Sequence, residues 1–132
     1  MFNARQISDD FYYVGGNDRR LELFENVYPI PDGVSYNSYL LVDDKTVLLD
    51  TADAAIAHQF LENVEHVLDG KPLDYVVVNH MEPDHCATLC DIVVHYPDVK
   101  IVGNTMTFRM MKQFFDFDVD KHAVVVKEGD TL

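Results

Sequence analysis

The stretch Asn79-His80-Met81-Glu82-Pro83-Asp84-His85 follows directly on the apolar run Tyr75-Val76-Val77-Val78, and its reading decides the fold. A short continuous apolar run is what a parallel strand covered on both faces requires. Four residues able to ligate a metal then fall within six positions: His80, Glu82, Asp84 and His85. In an extended chain, residues two apart point the same way, about 6.5 Å apart at roughly 3.3 Å per residue, so His80, Glu82 and Asp84 can converge on one side. Pro83 keeps Glu82 out of the helical region. His85 is expected to open a helix with Asp84 as its N-cap, which turns the imidazole toward the same spot. Ligands spread in this way suit two metals about 3.5–4 Å apart better than one. The bland alternative is a polar turn closing a strand, with a carboxylate capping the next helix. Position favours the metal, because ligand sites in such sheets lie at the C-terminal ends of the strands.

Outward from this segment the chain changes period. Before it, Phe11 to Val14, ending at a Gly15-Gly16 turn, reads as a strand, and Leu21, Leu23 and Phe24-Glu25 as a second short one. Ser35 to Val42 reads as one strand, joined to Thr46-Leu49 by a hairpin at Asp43-Asp44-Lys45. From Ala54 to Leu68 the apolar residues Ile56, Phe60, Val64, Val67 and Leu68 recur at helical spacing, with Asp53 placed as N-cap and Gly70 near the C-cap. After the His80–His85 segment the spacing predicts a helix to about Tyr96, a strand at Lys100–Gly103, a helix over Thr105–Phe115 and a strand at Ala123–Val126. Strands followed by αβαβαβ predict a mixed sheet with helices on one face, an α/β (α+β) arrangement.

The whole chain, residues 1–132, bounds the function classes. At 48% apolar residues it can bury a core, and no linker marks an internal boundary. Ten Lys and Arg against 23 Asp and Glu leave a net charge of −13, which repels phosphate backbones and anionic headgroups, so no nucleic-acid or membrane partner is expected. The start, Met-Phe-Asn-Ala-Arg-Gln-Ile-Ser-Asp-Asp, has no apolar core of a secretory signal, and two cysteines build no disulfide scaffold; a cytoplasmic location is expected.

The pattern at 79–85 is similar to the H-x-[HE]-x-D-H signature of the metallo-β-lactamase-like fold. With Glu82 in place of the second His, it resembles the flavodiiron proteins, which reduce dioxygen or nitric oxide. Phe24-Glu25, Gly33-Val34-Ser35-Tyr36-Asn37-Ser38-Tyr39-Leu40-Leu41, Asp44-Lys45-Thr46 and Leu49-Asp50-Thr51 agree, so the resemblance covers essentially the whole chain. A carboxylate for an imidazole adds a hard anionic donor, which favours redox-active iron over hydrolytic zinc. The resemblance implies that His80 and Glu82 bind one iron and Asp84 and His85 the other, although in some members the residue matching His85 does not coordinate. It also implies that Asp50 supports the metal loop from behind; the plain alternative is a strand-terminating turn. The family shows Ser-Gly after the last His, where this chain has Cys86-Ala87.

The resemblance further implies the first half of an αββα sandwich, a partial diiron domain over residues 1–132 without the FMN-binding flavodoxin-like domain of the parent family. Further ligands of that family, two His and a bridging Asp, match nothing in these residues. Weak or partial occupancy by two iron ions and poor catalysis are therefore expected, with an electron-donor protein serving the parent family. The sheet face left open is expected to drive dimerisation, face to face or by strand exchange. Two other readings stand beside this one: a zinc-dependent hydrolase of the same fold, and a non-catalytic dimerising remnant.

Other residues take quieter readings. Cys86 and Cys90, four apart on one helix face, read as small buried thiols. His58 and His66 read as solvated, His95 and His122 as surface residues near element ends. Met106, Met110 and Met111 with Phe108, Phe114 and Phe115 read as core, and Asp116, Asp118 and Asp120 as a solvated loop.

Overall fold

A mixed sheet of seven strands forms the frame behind the His80–His85 segment. The computed structural model describes residues 3–18, 23, 24, 28, 29 and 32–132. The strands are β1 (Arg5–Ser8), β2 (Phe11–Tyr13), β3 (Gly16–Asp18), β4 (Leu23–Phe24), β5 (Tyr28–Pro29), β6 (Val34–Tyr36), β7 (Tyr39–Val42) and β8 (Thr46–Leu49). Then come α1 (Ala57–Leu68), β9 (Tyr75–Val77), α2 (Pro83–Cys86), α3 (Leu89–His95), β10 (Lys100–Gly103), α4 (Thr105–Phe114), α5 (Val119–His122) and β11 (Ala123–Val125). The large sheet runs β1-β2-β7-β8-β9-β10-β11, while β3 pairs with β6 and β4 with β5 in two small ribbons. Pairing is antiparallel as far as β8 and parallel from β8 onward.

Local chemistry accounts for the joints. Asp43 N–H donates to the Lys45 carbonyl at 3.2 Å and closes the β7–β8 hairpin. The Asp53 carboxylate accepts from Ala55 N–H at 2.8 Å and caps a single 3-10 turn, Ala54–Ile56, ahead of α1. That helix ends in left-handed backbone at Asp69 (φ 49°) and Gly70 (φ 85°), which reverses the chain toward β9. Thr46 Oγ1 then donates to the Pro72 carbonyl at 2.6 Å, and Asp74 Oδ2 accepts from Thr46 N–H at 2.9 Å, pinning β9 beside β8.

One face of the sheet is the core. Leu40, Leu48, Val76 and Ile101 point into it and are fully buried against Phe60 and Val64 of α1, Leu89 and Ile92 of α3, and Met111 of α4. The opposite face lines up Tyr13, Tyr39, Leu49 and Val77 in register, with Phe11, Leu41, Val47 and Tyr75 one step along. All eight are half-buried, and Phe11 stacks on Tyr39 with ring centroids 5.3 Å apart. The expected mixed sheet with helices on one face is what the chain forms.

Several expected boundaries move. Ser35 to Val42 is two strands, because Asn37-Ser38 leaves the ladder and Ser38 Oγ donates to the Asp50 carbonyl at 2.9 Å. Gly16 opens β3 rather than a turn. The reading of Leu21 and Glu25 as strand lies outside the described residues, while Leu23–Phe24 does pair with β5. On α4, Met106, Met110 and Phe114 are exposed and only Phe108 and Met111 are core, because the helix turns a single narrow stripe to the sheet.

At Gly15 a Cβ would lie 1.9 Å from the Tyr36 carbonyl oxygen, backbone against backbone. Gly15→Ala is expected to cost about 1–3 kcal/mol by overpacking, read as a lower urea midpoint. An unchanged midpoint would contradict this close approach.

Candidate metal centre

The segment is held by the end of β8 before it is held by itself. Asp50 adopts φ 57°, a left-handed conformation that Asp tolerates better than most residues. Its N–H donates to the Val77 carbonyl at 2.8 Å, and its Oδ1 accepts from Asn79 N–H at 2.7 Å. Thr51 follows, and both its N–H and its Oγ1 donate to the His85 carbonyl at 2.8 Å. Ala52 and Thr88 then exchange bonds: Ala52 N–H to Thr88 Oγ1 at 3.0 Å, Thr88 N–H to the Ala52 carbonyl at 3.2 Å. Residues 50–52 thus form a strap across the back of the ligand segment.

Glu82 is extended (φ −71°, ψ 154°), as the residue before a proline should be, and Pro83 opens α2 at its first position. Two expectations are corrected here. Glu82, not Asp84, occupies the N-cap, and no side chain caps the helix. Asp84 lies in the first turn, with its Oδ1 buried and without a hydrogen-bond partner. The expected helix from His85 to Tyr96 is two helices, α2 and α3, because Thr88 gives its N–H to Ala52 instead of to the preceding turn. Cys86 and Cys90 therefore sit on different helices, not on one face.

Four candidate ligands arrive as two pairs. His80 Nε2 lies 3.4 Å from Glu82 Oε1, both side chains about half exposed. His85 Nε2 lies 3.3 Å from Asp84 Oδ2, both largely buried. The two imidazoles are 5.3 Å apart between centroids and nearly perpendicular at 72°. Metal–ligand bonds of about 2.0–2.2 Å at tetrahedral to octahedral angles put neighbouring donors roughly 3.0–3.5 Å apart. Each pair has the spacing of two donors on one ion. Among the described residues no three His, Cys, Asp or Glu side chains close on a single point, so the arrangement is two half-shells and not one cage.

Two atoms of the inner pair are orphaned. Asp84 Oδ1 and His85 Nδ1 are buried without a hydrogen-bond partner. Asp50 Oδ2 lies 3.4 Å from His85 Nδ1, at ion-pair distance but off the hydrogen-bond line. A carboxylate facing the second nitrogen of a ligating His is the usual support of such ligands. Buried polar atoms without partners are rare and costly. The donor set and these orphans fit cations.

Beyond the segment the structure is mostly structural. Cys86 Sγ donates to the Met81 carbonyl at 2.9 Å, and burial, with Asp84 and then Asp50 nearby, pushes its thiol up to about 11. Cys90 is half-buried. His58 is solvated and pairs with Glu62 at 3.0 Å, His66 is exposed, and exposed His95 meets the Asp91 carbonyl at 2.8 Å. His122 departs from expectation: it is 5% exposed, its Nδ1 2.7 Å from the Val99 carbonyl and its ring edge-on to Phe117. The acidic run is solvated as expected but is not all loop: Asp118 caps α5 by accepting from Lys121 N–H at 3.3 Å, and Asp120, in the first turn of that helix, pairs with Lys112 at 2.7 Å. Ser38, Thr51 and Thr88 were silent in the sequence, since a lone hydroxyl does not announce its partner.

A family model described as ODP family beta lactamase matches residues 34–132. The chain is 34% identical over 129 residues to the rubredoxin-oxygen oxidoreductase of Megalodesulfovibrio gigas, covering 98% of this chain and 32% of that protein. It is 32% identical over 127 residues to the nitric oxide reductase of Moorella thermoacetica, covering 96% and 32%. A flavo di-iron protein mutant from Thermotoga maritima superposes with a TM-score of 0.87 at 30% identity, over 96% of this chain and 32% of that one. The chain thus spans about a third of the length of the relatives it matches. No helix among the described residues is long and apolar enough to cross a membrane.

Two expectations test the strap and the thiol. Asp50→Ala is expected to cost about 2 kcal/mol or more in urea unfolding, through the lost acceptor and left-handed strain, while Asp50→Asn recovers most of it. With its thiol raised to about 11, native Cys86 is expected to resist iodoacetamide at pH 8, checked by peptide mass spectrometry; rapid labelling would show that the site opens.

Proposed function

This chain belongs to the ODP family of beta lactamases, and on that premise we propose that it forms the ligand-bearing part of a flavodiiron oxidoreductase. The proposed parent reaction is reduction of dioxygen to water or of nitric oxide to nitrous oxide. The observation that carries the reading is the division of the ligands into two pairs, 3.4 and 3.3 Å across, at the end of a parallel strand. His80 and Glu82 would hold one iron, Asp84 and His85 the other, with Asp50 facing the free nitrogen of His85. Bound iron would supply the electrons and the Lewis acidity for the gas.

The chain's own residues do the positioning. The residue 50–52 strap fixes the ligand backbone, Pro83 sets the extended Glu82, and the buried Asp84–His85 pair restricts water on the core side. In the parent family the electrons come from FMN in a flavodoxin-like domain, supplied by an electron-donor protein. The four ligands within these 132 residues leave most coordination positions of two irons to water, so weak binding and little turnover are proposed for this stretch alone. Glu82, a hard anionic donor, supports iron rather than the zinc of a hydrolase.

We propose further that the half-buried apolar sheet face pairs two copies of this chain, since contiguous apolar patches beyond a few hundred Å² are rare on monomers. Dimers at tens of micromolar are the expected result of sedimentation velocity; a monomer there would remove the proposal. For the metal, anaerobic equilibrium dialysis against Fe(II) should find up to two ions, with His80→Ala and Asp84→Ala each losing one. Equal binding by the double variant and the unaltered chain would overturn the reading.

A further inference from the structure

Cys86 closes α2 and reaches back to the ligand segment twice. Its N–H donates to the Glu82 carbonyl at 3.0 Å, an ordinary helical bond. Its Sγ lies 2.9 Å from the Met81 carbonyl oxygen. A carbonyl can only accept, so the thiol keeps its proton and donates. The two carbonyls belong to the peptide units on either side of the Glu82 Cα. One residue therefore holds both planes that set where the Glu82 side chain points.

The two ligand pairs are braced differently. Thr51 grips the His85 carbonyl through its N–H and its Oγ1, each at 2.8 Å, and Asp50 Oδ2 stands 3.4 Å from the His85 ring. The outer pair has less. Among the described residues, the backbone between Asn79 N–H, tied to Asp50, and the Glu82 carbonyl has the Cys86 thiol as its one hydrogen-bond partner. Met81 and Cys86 are 7% and 5% exposed and pack in the core, while His80 and Glu82 on either side of Met81 are about half exposed. That alternation is the one an extended chain imposes.

We propose that Cys86 is a positioning residue of the metal centre: its thiol sets the outer pair, His80 and Glu82, against the inner pair on α2, and is neither ligand nor nucleophile. The inference rests on the metal reading given above and deepens it. It requires of the side chains no placement beyond the one they have, with His80 Nε2 and Glu82 Oε1 3.4 Å apart. Without the thiol, the Met81 carbonyl has no donor and the 81–82 peptide is free to turn, which swings Glu82 relative to His80. The inner pair keeps its own brace.

Co(II) binding to the full chain tests this. Asp84→Ala leaves the outer pair as the site, and His80→Ala leaves the inner pair. Adding Cys86→Ala to Asp84→Ala should weaken Co(II) binding by about tenfold, the low end for loss of a supporting group, and shift the ligand-field absorption. Adding it to His80→Ala should change neither. Cys86→Ser, which keeps a donor, should recover most of the loss. Unaltered binding at the outer pair, equal weakening of both sites, or no recovery by Cys86→Ser each overturn the inference and leave the metal reading standing. A thiolate-to-cobalt charge-transfer band in the unaltered chain overturns it too, because Cys86 would then be a ligand. Infrared spectra of the unaltered metal-free chain need no foldable variant: they should show one S–H stretch lowered by hydrogen bonding, and its absence overturns the inference. If the unaltered chain binds no more Co(II) than the His80→Ala/Asp84→Ala double variant, the metal reading falls, and the inference with it.

Discussion

The hydrogen bond from Asn79 N–H to Asp50 Oδ1, 2.7 Å long, is the constraint on which the centre depends. Parallel strands part company at their C-terminal ends, and the first free N–H beyond each must find an acceptor. Asp50 supplies one across the β8–β9 gap, bends into left-handed backbone to do so, and leaves its second oxygen toward His85. Thr51 and Ala52 extend the tie to the carbonyl of His85 and to Thr88. Two strand ends, one short helix and the backbone of His85 are thereby fixed by three consecutive residues.

The ligand segment keeps its shape while violating ordinary packing rules. Glu82, Asp84 and Asp50 bring carboxylates into one small volume, and two buried atoms of the inner pair stay unsatisfied. A sequence selected for stability alone would replace such groups with apolar ones. Membership in the ODP family accords with that concentration of unmet polarity.

Much of the frame was legible because its signals are local. The alternation around the Asp43–Lys45 turn, the helical period from Ile56 to Leu68 and the apolar run at Tyr75–Val78 each declare an element without reference to the rest. What was hidden depends on distant partners. The break at Asn37-Ser38 comes from a bond to Asp50, and the break between α2 and α3 from one to Ala52. β1 was missed because Arg5–Ser8 is an exposed edge strand with no apolar face to read. His122 is buried because the Val99 carbonyl is there to meet it. Of the centre, the crowding of four ligand-type residues into six positions was readable from the letters, whereas their division into two pairs was implied only by the resemblance and depends on side-chain placement.

The sheet joins two unlike halves at β8. On one side β7 closes through a tight turn; on the other, β9 docks only after the chain has passed through α1. Loop-closure entropy delays the second event relative to the first. The ligand segment hangs from the late strand but is tied to the early one through Asp50 and Thr51, so it acquires its shape only when both are in place. The geometry of residues 79–85 is thus a property of the finished sheet and not of the segment taken alone.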